Sequence, residues 1–131
     1  MSFGQREFDR QKPEIDFPAH DVPTELVIED IVVGTGDEAT VGKTVSTHYV
    51  GVAFSSGEEF DSSWNRGTPL DFRVGIGQVI RGWDQGLLGM KVGGRRRLEI
   101  PSALAYGASG AGSAIGPNES LIFVVDLLGV R

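Results

Sequence analysis

Between residues 26 and 130 the apolar positions recur with a period of two, the spacing of strands that bury one face. Leu26-Val27-Ile28-Glu29-Asp30-Ile31-Val32-Val33 opens the series and stops at Gly34-Thr35-Gly36. Further on, Val45, Thr47 and Tyr49 share one strand face, and Ser46 and His48 take the other. The run Arg95 to Ile100, ended by Pro101, turns Leu98 and Ile100 to one side and Arg95 and Arg97 to the opposite side. Leu121, Phe123, Val125 and Leu127 line one face of the last strand. Only Arg81 to Leu87 departs from this rhythm. It follows the β-branched pair Val79-Ile80 and is crowded by Gly86 and Gly89, which limits it to a short helix. Trp83 therefore lies near a helix N-terminus beside a strand end, where a buried indole can floor a cavity. Several antiparallel strands, glycine- and serine-rich turns and a single short helix predict an α+β domain. No internal repeat is present.

Residues 1–22 lack this pattern. They are charged, contain Pro13 and Pro18, and read as a tail that is either mobile or packed as an irregular strap through Phe8, Ile15 and Phe17. One domain, 23–131, follows. A chain of 131 residues supports one modest core. The absence of cysteine excludes a disulfide framework and a thiolate metal site, and fits a reducing compartment. No apolar run reaches the length of a membrane span, and Met1 to Arg10 alternates charge with aromatic residues where a secretory signal would be apolar. A cytoplasmic protein is the expectation. The net charge of −6 argues against general nucleic-acid binding. Arg95-Arg96-Arg97, the one basic cluster, reads as a solvated strand edge whose charge deters sheet-to-sheet pairing.

Several motifs fail on inspection. Gly36 to Thr44 imitates a phosphate-binding loop, but its glycine spacing is one residue too long and a β-branched strand follows where a helix is needed. Gly75-Ile76-Gly77-Gln78-Val79-Ile80 lacks the third glycine of a dinucleotide fingerprint. Ser109 sits one residue short of a nucleophile elbow. His20 lies in the tail and His48 on a strand, a placement that suits neither a catalytic triad nor a zinc site. His48 reads as a surface or structural residue. What remains is a set of aromatic residues at or near strand ends: Tyr49, Phe60, Phe72, Trp83, Tyr106 and Phe123, joined by Val79 and Ile80. Periodicity alone allows either the core of a small domain or a pocket.

From about Thr24 to Arg131 the chain carries an ordered series of landmarks: Val45 to Gly51, Gly57 to Ser63 with Phe60-Asp61, and Pro69 to Phe72. Gly77-Gln78-Val79-Ile80-Arg81-Gly82-Trp83-Asp84, Ile100-Pro101, Ala105-Tyr106-Gly107 and Leu121-Ile122-Phe123 complete it. In this order and spacing they resemble the macrolide-binding (FKBP-type) peptidyl-prolyl cis-trans isomerases. The resemblance implies a curled antiparallel β-sheet wrapped around one short α-helix, with a cleft between them and a flap at residues 107–120. It implies catalysis of X-Pro rotation during protein folding, with no cofactor and no metal. Trp83 is then the floor, with Tyr49, Phe60, Val79 and Phe123 as walls. The Ile80 amide and the Tyr106 hydroxyl are the donors to ligand carbonyls. Asp61 is the polar pocket residue, held by Tyr49 and Arg66. Catalytic roles fall on Asp61, Tyr106, Tyr49 and Phe123, and substrate contacts on Phe60, Leu70, Phe72, Val79, Ile80, Trp83 and Ile115. Leu70, Ala111 and Ala114 depart from the commonest family residues and imply a wider outer rim. The expected partners are proline-containing polypeptides and macrolide immunosuppressant-type ligands, with no nucleic acid and no membrane, for a monomer. A non-enzymatic module that captures proline-containing segments is the competing class. No residue in 1–21 matches the cleft, so removing them is expected to leave catalysis near normal.

Overall fold

The computed structural model describes residues 11–16, 18 and 20–131. Six strands form one sheet: β1 (Val27–Val32), β2 (Thr44–Ala53), β3 (Glu59–Ser62), β4 (Leu70–Arg73), β5 (Arg95–Ile100) and β6 (Leu121–Val130). Their order is β1-β5-β6-β2-β3, with every pair antiparallel. One edge of β2 is split: β4 pairs with Thr44–Thr47 and β3 with Val50–Val52. The sequence pattern predicts one short helix over Arg81 to Leu87, observed as α2 (Arg81–Gly86), and the structure adds a one-turn helix, α1 (Ser63–Arg66), at the break. Ser62 starts α1 by accepting from the Asn65 amide, and Gly67 ends it with φ 73°, a left-handed conformation that glycine adopts without strain.

β2, β5 and β6 bury the faces that their spacing predicts, whereas β1, the strand that opens the series, is exposed along its whole length, Val27, Ile28, Ile31 and Val32 included. Val45, Tyr49, Leu98, Ile100, Leu121, Phe123, Val125 and Leu127 enter one core with Trp83 and Leu87 of the α2 region. Gly82 and Gly86 set how closely α2 approaches. A Cβ on Gly82 would stand 2.5 Å from Ile100 Cγ2, and one on Gly86 2.9 Å from Leu98 Cδ1. Arg96 closes the end of the helix by donating to the carbonyls of Gly86 and Leu88 at 2.9 and 3.0 Å. The guanidinium thus meets the negative end of the helix dipole.

The opposite sheet face holds a second apolar cluster, Val50, Val52, Phe54 and Ile122, with Ile15 and Trp64 packed on it. Residues of the N-terminal segment run along this face as a strap. The Gln11 carbonyl accepts from Arg95 at 2.8 Å, and His20 lies 3.1 Å from Glu99 with its ring 5.8 Å from Phe54. Phe8 and Phe17 lie outside the described residues.

This corrects the reading of Arg95-Arg96-Arg97 as a solvated edge. β5 lies between β1 and β6, and the three side chains keep only 14, 11 and 17% exposure. Each meets a carboxylate: Arg95 with Asp126 at 2.6 Å, Arg96 with Asp30 at 2.7 Å and Arg97 with Glu99 at 3.0 Å. A charge removed from water needs such a partner, and here sheet neighbours distant in sequence supply two of the three. His48 is built into the outer face with Arg95 and Arg97, stacked on Trp64 at 4.3 Å with its Nδ1 2.8 Å from Ser63 Oγ.

Candidate functional site

A cavity of about 190 Å³ opens between the inner sheet face and α2, lined by Tyr49, Phe60, Asp61, Leu70, Gln78, Val79, Ile80, Trp83, Tyr106 and Phe123. Its base is an aromatic box. Trp83, 3% exposed, meets Tyr49 at 5.0 Å and Phe123 at 5.2 Å, both near perpendicular. Phe60 meets Phe123 edge-on at 5.5 Å. Such contacts lock the rings beyond what their burial alone provides. Gly51 makes room for them, since a Cβ there would lie 2.6 Å from both Phe60 and Phe123.

The backbone break in the β2 edge positions the polar side. Between the stretches paired to β4 and β3, the Tyr49 amide has Ser63 Oγ as its acceptor at 2.6 Å, which satisfies a buried donor that no strand reaches. On β3, Asp61 pairs with Gly51 and Glu59 with Val52, leaving Phe60 as an extra residue. Strand alternation would send Phe60 and Asp61 to opposite faces. The bulge brings both to the same cavity.

The Tyr49 hydroxyl donates to Asp61 Oδ2 at 2.5 Å, Arg66 Nη1 donates to Asp61 Oδ1 at 2.6 Å, and Arg66 Nη2 donates to the Tyr49 oxygen at 3.0 Å. The guanidinium also lies 5.5 Å from the centre of the Tyr49 ring. Burial pushes the Tyr49 phenol above its ordinary value, and its hydrogen bond to Asp61 acts in the same direction. The phenol stays protonated and donating. Asp61 is less enclosed than a pocket carboxylate would be, at 40% side-chain exposure, so this ion pair sits at the cavity mouth.

The loop from β4 to α2 forms the third wall. Asp84 on α2 accepts from the amides of Gly75 and Gly77, both at 2.8 Å, and Gln78 Oε1 accepts from the Arg73 amide at 2.8 Å. The Ile80 carbonyl accepts from Trp83 and Asp84 in the first turn of the helix, whereas the Ile80 amide has no partner among the described residues. The Tyr106 hydroxyl is likewise unpaired among them, on a side chain 41% exposed at the rim.

Nine of the residues singled out from sequence line this cavity: Tyr49, Phe60, Asp61, Leu70, Val79, Ile80, Trp83, Tyr106 and Phe123. Phe72 does not. It is buried behind Trp83 at 5.5 Å and supports the floor from the core. Ile115 is also buried in the core, where it bridges to Ala111 across the flap, and does not line the cavity. Ala114 lines a separate groove beside Phe60. Gln78 is the lining residue that sequence reasoning missed. Its place between a turn glycine and the Val79-Ile80 entry to the helix was the available signal.

Among the described residues no His, Cys, Asp or Glu cluster has the grouping of a metal site, and no helix is long and apolar enough to cross a membrane. The chain is 64% identical over 121 residues to the FK506-binding protein of Streptomyces anulatus, covering 92% of this chain and 98% of the relative. It is 49% identical over 118 residues to the probable FK506-binding protein of Corynebacterium glutamicum, covering 90% and 98%. The crystal structure of AtFKBP13 superposes with a TM-score of 0.77 at 45% identity, covering 84% of this chain and 96% of that one. The family model for FKBP-type peptidyl-prolyl cis-trans isomerases matches residues 36–128, and with these relatives it establishes that the chain belongs to that family of enzymes.

Proposed function

We propose that the aromatic cavity is where this isomerase twists X-Pro bonds, and that its polar mouth acts on the twisted amide more than on the planar one. The barrier to rotation, roughly 18–20 kcal/mol, comes from amide resonance, so lowering it needs no covalent step. The proline ring packs on Trp83 between Tyr49, Phe60, Val79 and Phe123. A cavity lined this way excludes water and favours the twisted amide, whose charge separation is smaller. The Ile80 amide and Tyr106 hydroxyl donate to substrate carbonyls, and donors set for the rotated carbonyl favour the transition state specifically. Tyr49 and Arg66 hold Asp61 in place at the mouth.

The observation that carries this reading is the closed Tyr49–Asp61–Arg66 set beside the two unpaired donors, all around one aromatic box. The substrates are proline-containing segments of folding polypeptides. Macrolides of the FK506 type compete for the same cavity, as the names of the relatives indicate for those proteins. The absence of cysteine supports the cytoplasm as the working compartment and a monomer as the working form needs no partner to complete the cavity.

The test is catalysed isomerisation of short X-Pro peptides by the wild type and Asp61→Val, a change that removes the carboxylate at similar bulk. The expected result is a fall in kcat/KM with a smaller change in affinity for a ground-state proline peptide. Equal loss of both would make the site a simple capture module. Normal turnover in a folded Asp61→Val protein would remove Asp61 from the mechanism.

A further inference from the structure

The segment that holds Phe60, Asp61 and Arg66 over the cavity is weakly built from within. β3 has only four residues, ends the sheet order, and carries the bulge at Phe60. α1 is a single turn of four residues. Neither element anchors its neighbours as a long central strand does, yet the polar set needs Asp61 and Arg66 at fixed positions relative to Tyr49.

From the outer side, the strap grips this segment. Lys12 Nζ lies 2.8 Å from Glu59 Oε1 and donates to Asn65 Oδ1 at 2.9 Å. Asn65 Nδ2 donates to Glu59 Oε2 at 3.0 Å, which closes a three-residue ring of polar contacts. Glu59 directly precedes Phe60 and Asp61, and Asn65 directly precedes Arg66. The ring therefore ties the start of β3 to the end of α1. Lys12 is itself held on both sides, by the Gln11 carbonyl on Arg95 at 2.8 Å and by Ile15 packed on the outer apolar cluster. With the backbone on either side already ordered, Lys12 forms its bonds with less loss of conformational freedom than a surface lysine on a free segment.

We infer that Lys12 is a positioning residue for catalysis: through Glu59 and Asn65 it sets the β3–α1 turn, and so holds Asp61 and Arg66 in register with Tyr49. The inference rests on the reading of the polar mouth given above. It also replaces the expectation that the first 21 residues are dispensable for turnover. Lys12 touches no cavity residue directly, and its effect passes through the turn it clamps.

The experiment uses the full chain and measures kcat and KM on an X-Pro peptide, affinity for a ground-state proline peptide, and Tm, for Lys12→Met, Lys12→Arg and Asp61→Val. The expected result for Lys12→Met is a fall in kcat of about two- to fivefold, the range that a partly exposed pair sustains, with KM and ground-state affinity held. Lys12→Arg keeps the charge and several donors, and should restore most of the loss. In a Glu59→Ala, Asn65→Ala background, Lys12→Met should change nothing further. A folded Lys12→Met protein with normal kcat, beside a defective Asp61→Val, overturns the role of Lys12 and leaves the site reading intact. A loss that Lys12→Arg does not rescue, or that persists in the Glu59→Ala, Asn65→Ala background, overturns it as well. Normal turnover in Asp61→Val overturns both.

Discussion

Gly82→Ala tests how the cavity floor is fixed to the sheet. The added Cβ would stand 2.5 Å from Ile100 Cγ2, 2.7 Å from its Cδ1 and 3.0 Å from its Cγ1. Ordinary carbon contacts need about 3.5–4.0 Å, so the helix or the isoleucine must move by roughly an ångström. Ile100 is fully buried and paired to Leu121 on β6, which leaves α2 as the part that yields. Overpacking of this kind costs about 1–3 kcal/mol, and the lower backbone entropy of alanine in a helix returns about 0.5–1 kcal/mol. The net expectation is a loss centred on about 1 kcal/mol, and no more than about 2.5 kcal/mol, in urea unfolding. Ile100→Ala alone should cost about 2–5 kcal/mol through the space it leaves. In that background Gly82→Ala fills part of the void, so it should be neutral or stabilising. Because α2 carries Trp83, and Asp84 clamps the loop before Ile80, the single variant should also lose turnover and the double variant should recover part of it. An equal destabilisation by Gly82→Ala in both backgrounds would show that the Ile100 contact does not set the helix position.

Other expectations follow from the rim and from the two histidines. Leu70 lines the cavity whereas Ala111 and Ala114 do not, so Leu70→Phe alone should tighten an FK506-type ligand. About 40 Å² of added apolar contact at about 25 cal/mol per Å² gives about 1 kcal/mol, or roughly fivefold in Kd by competition. No gain from Leu70→Phe would locate the ligand away from that wall. His20 has its pKa raised above 6.5, first by its bond to the Asp21 carbonyl and then by Glu99, whereas burial lowers that of His48 below 6.5. The stability that His20 contributes is present below pH 6.5 and lost as pH rises through its folded value. For His48 it is present above pH 6.5 and lost as pH falls through its folded value. NMR titration should place the two on opposite sides of the ordinary value, and displacement in the same direction would refute the assignment of causes.

How much of this was legible in the chain depends on whether a single periodicity carried it. Val45, Thr47 and Tyr49, and the series Leu121 to Leu127, announced the inner sheet face because both of their neighbours in sequence point away from it. The outer face was not announced. Its cover is a strap without period, and the partner that buries Arg95 there, Asp126, comes from another strand, as does Asp30, the partner of Arg96 on the inner face. The motif around Trp83 led to residues that line one cavity, yet strand alternation alone places Phe60 and Asp61 on opposite faces. Only the bulge, which no local pattern marks, brings them together. Phe72 and Ile115 carried the right chemistry for a lining residue but occupy the core, since an apolar residue near a strand end suits either place. Gln78 suffered the reverse fate: a neutral amide in a turn announces no chemistry, and its role follows from the bond that fastens its side chain to Arg73.

The position of the polar mouth follows from the interrupted edge of β2. A continuous partner strand along Thr44 to Ala53 would use the Tyr49 amide in its ladder and leave no room for α1. Splitting that partner into β4 and β3 frees the amide for Ser63, inserts α1, and swings Arg66 back over Tyr49 and Asp61. The same split shortens both edge strands to four residues, which weakens the frame that must hold these groups still. Electrostatic preorganisation needs rigidity where such an edge supplies little. The strap across the outer face meets that need, because its one lysine within reach binds Glu59 and Asn65, at the start of β3 and the end of α1.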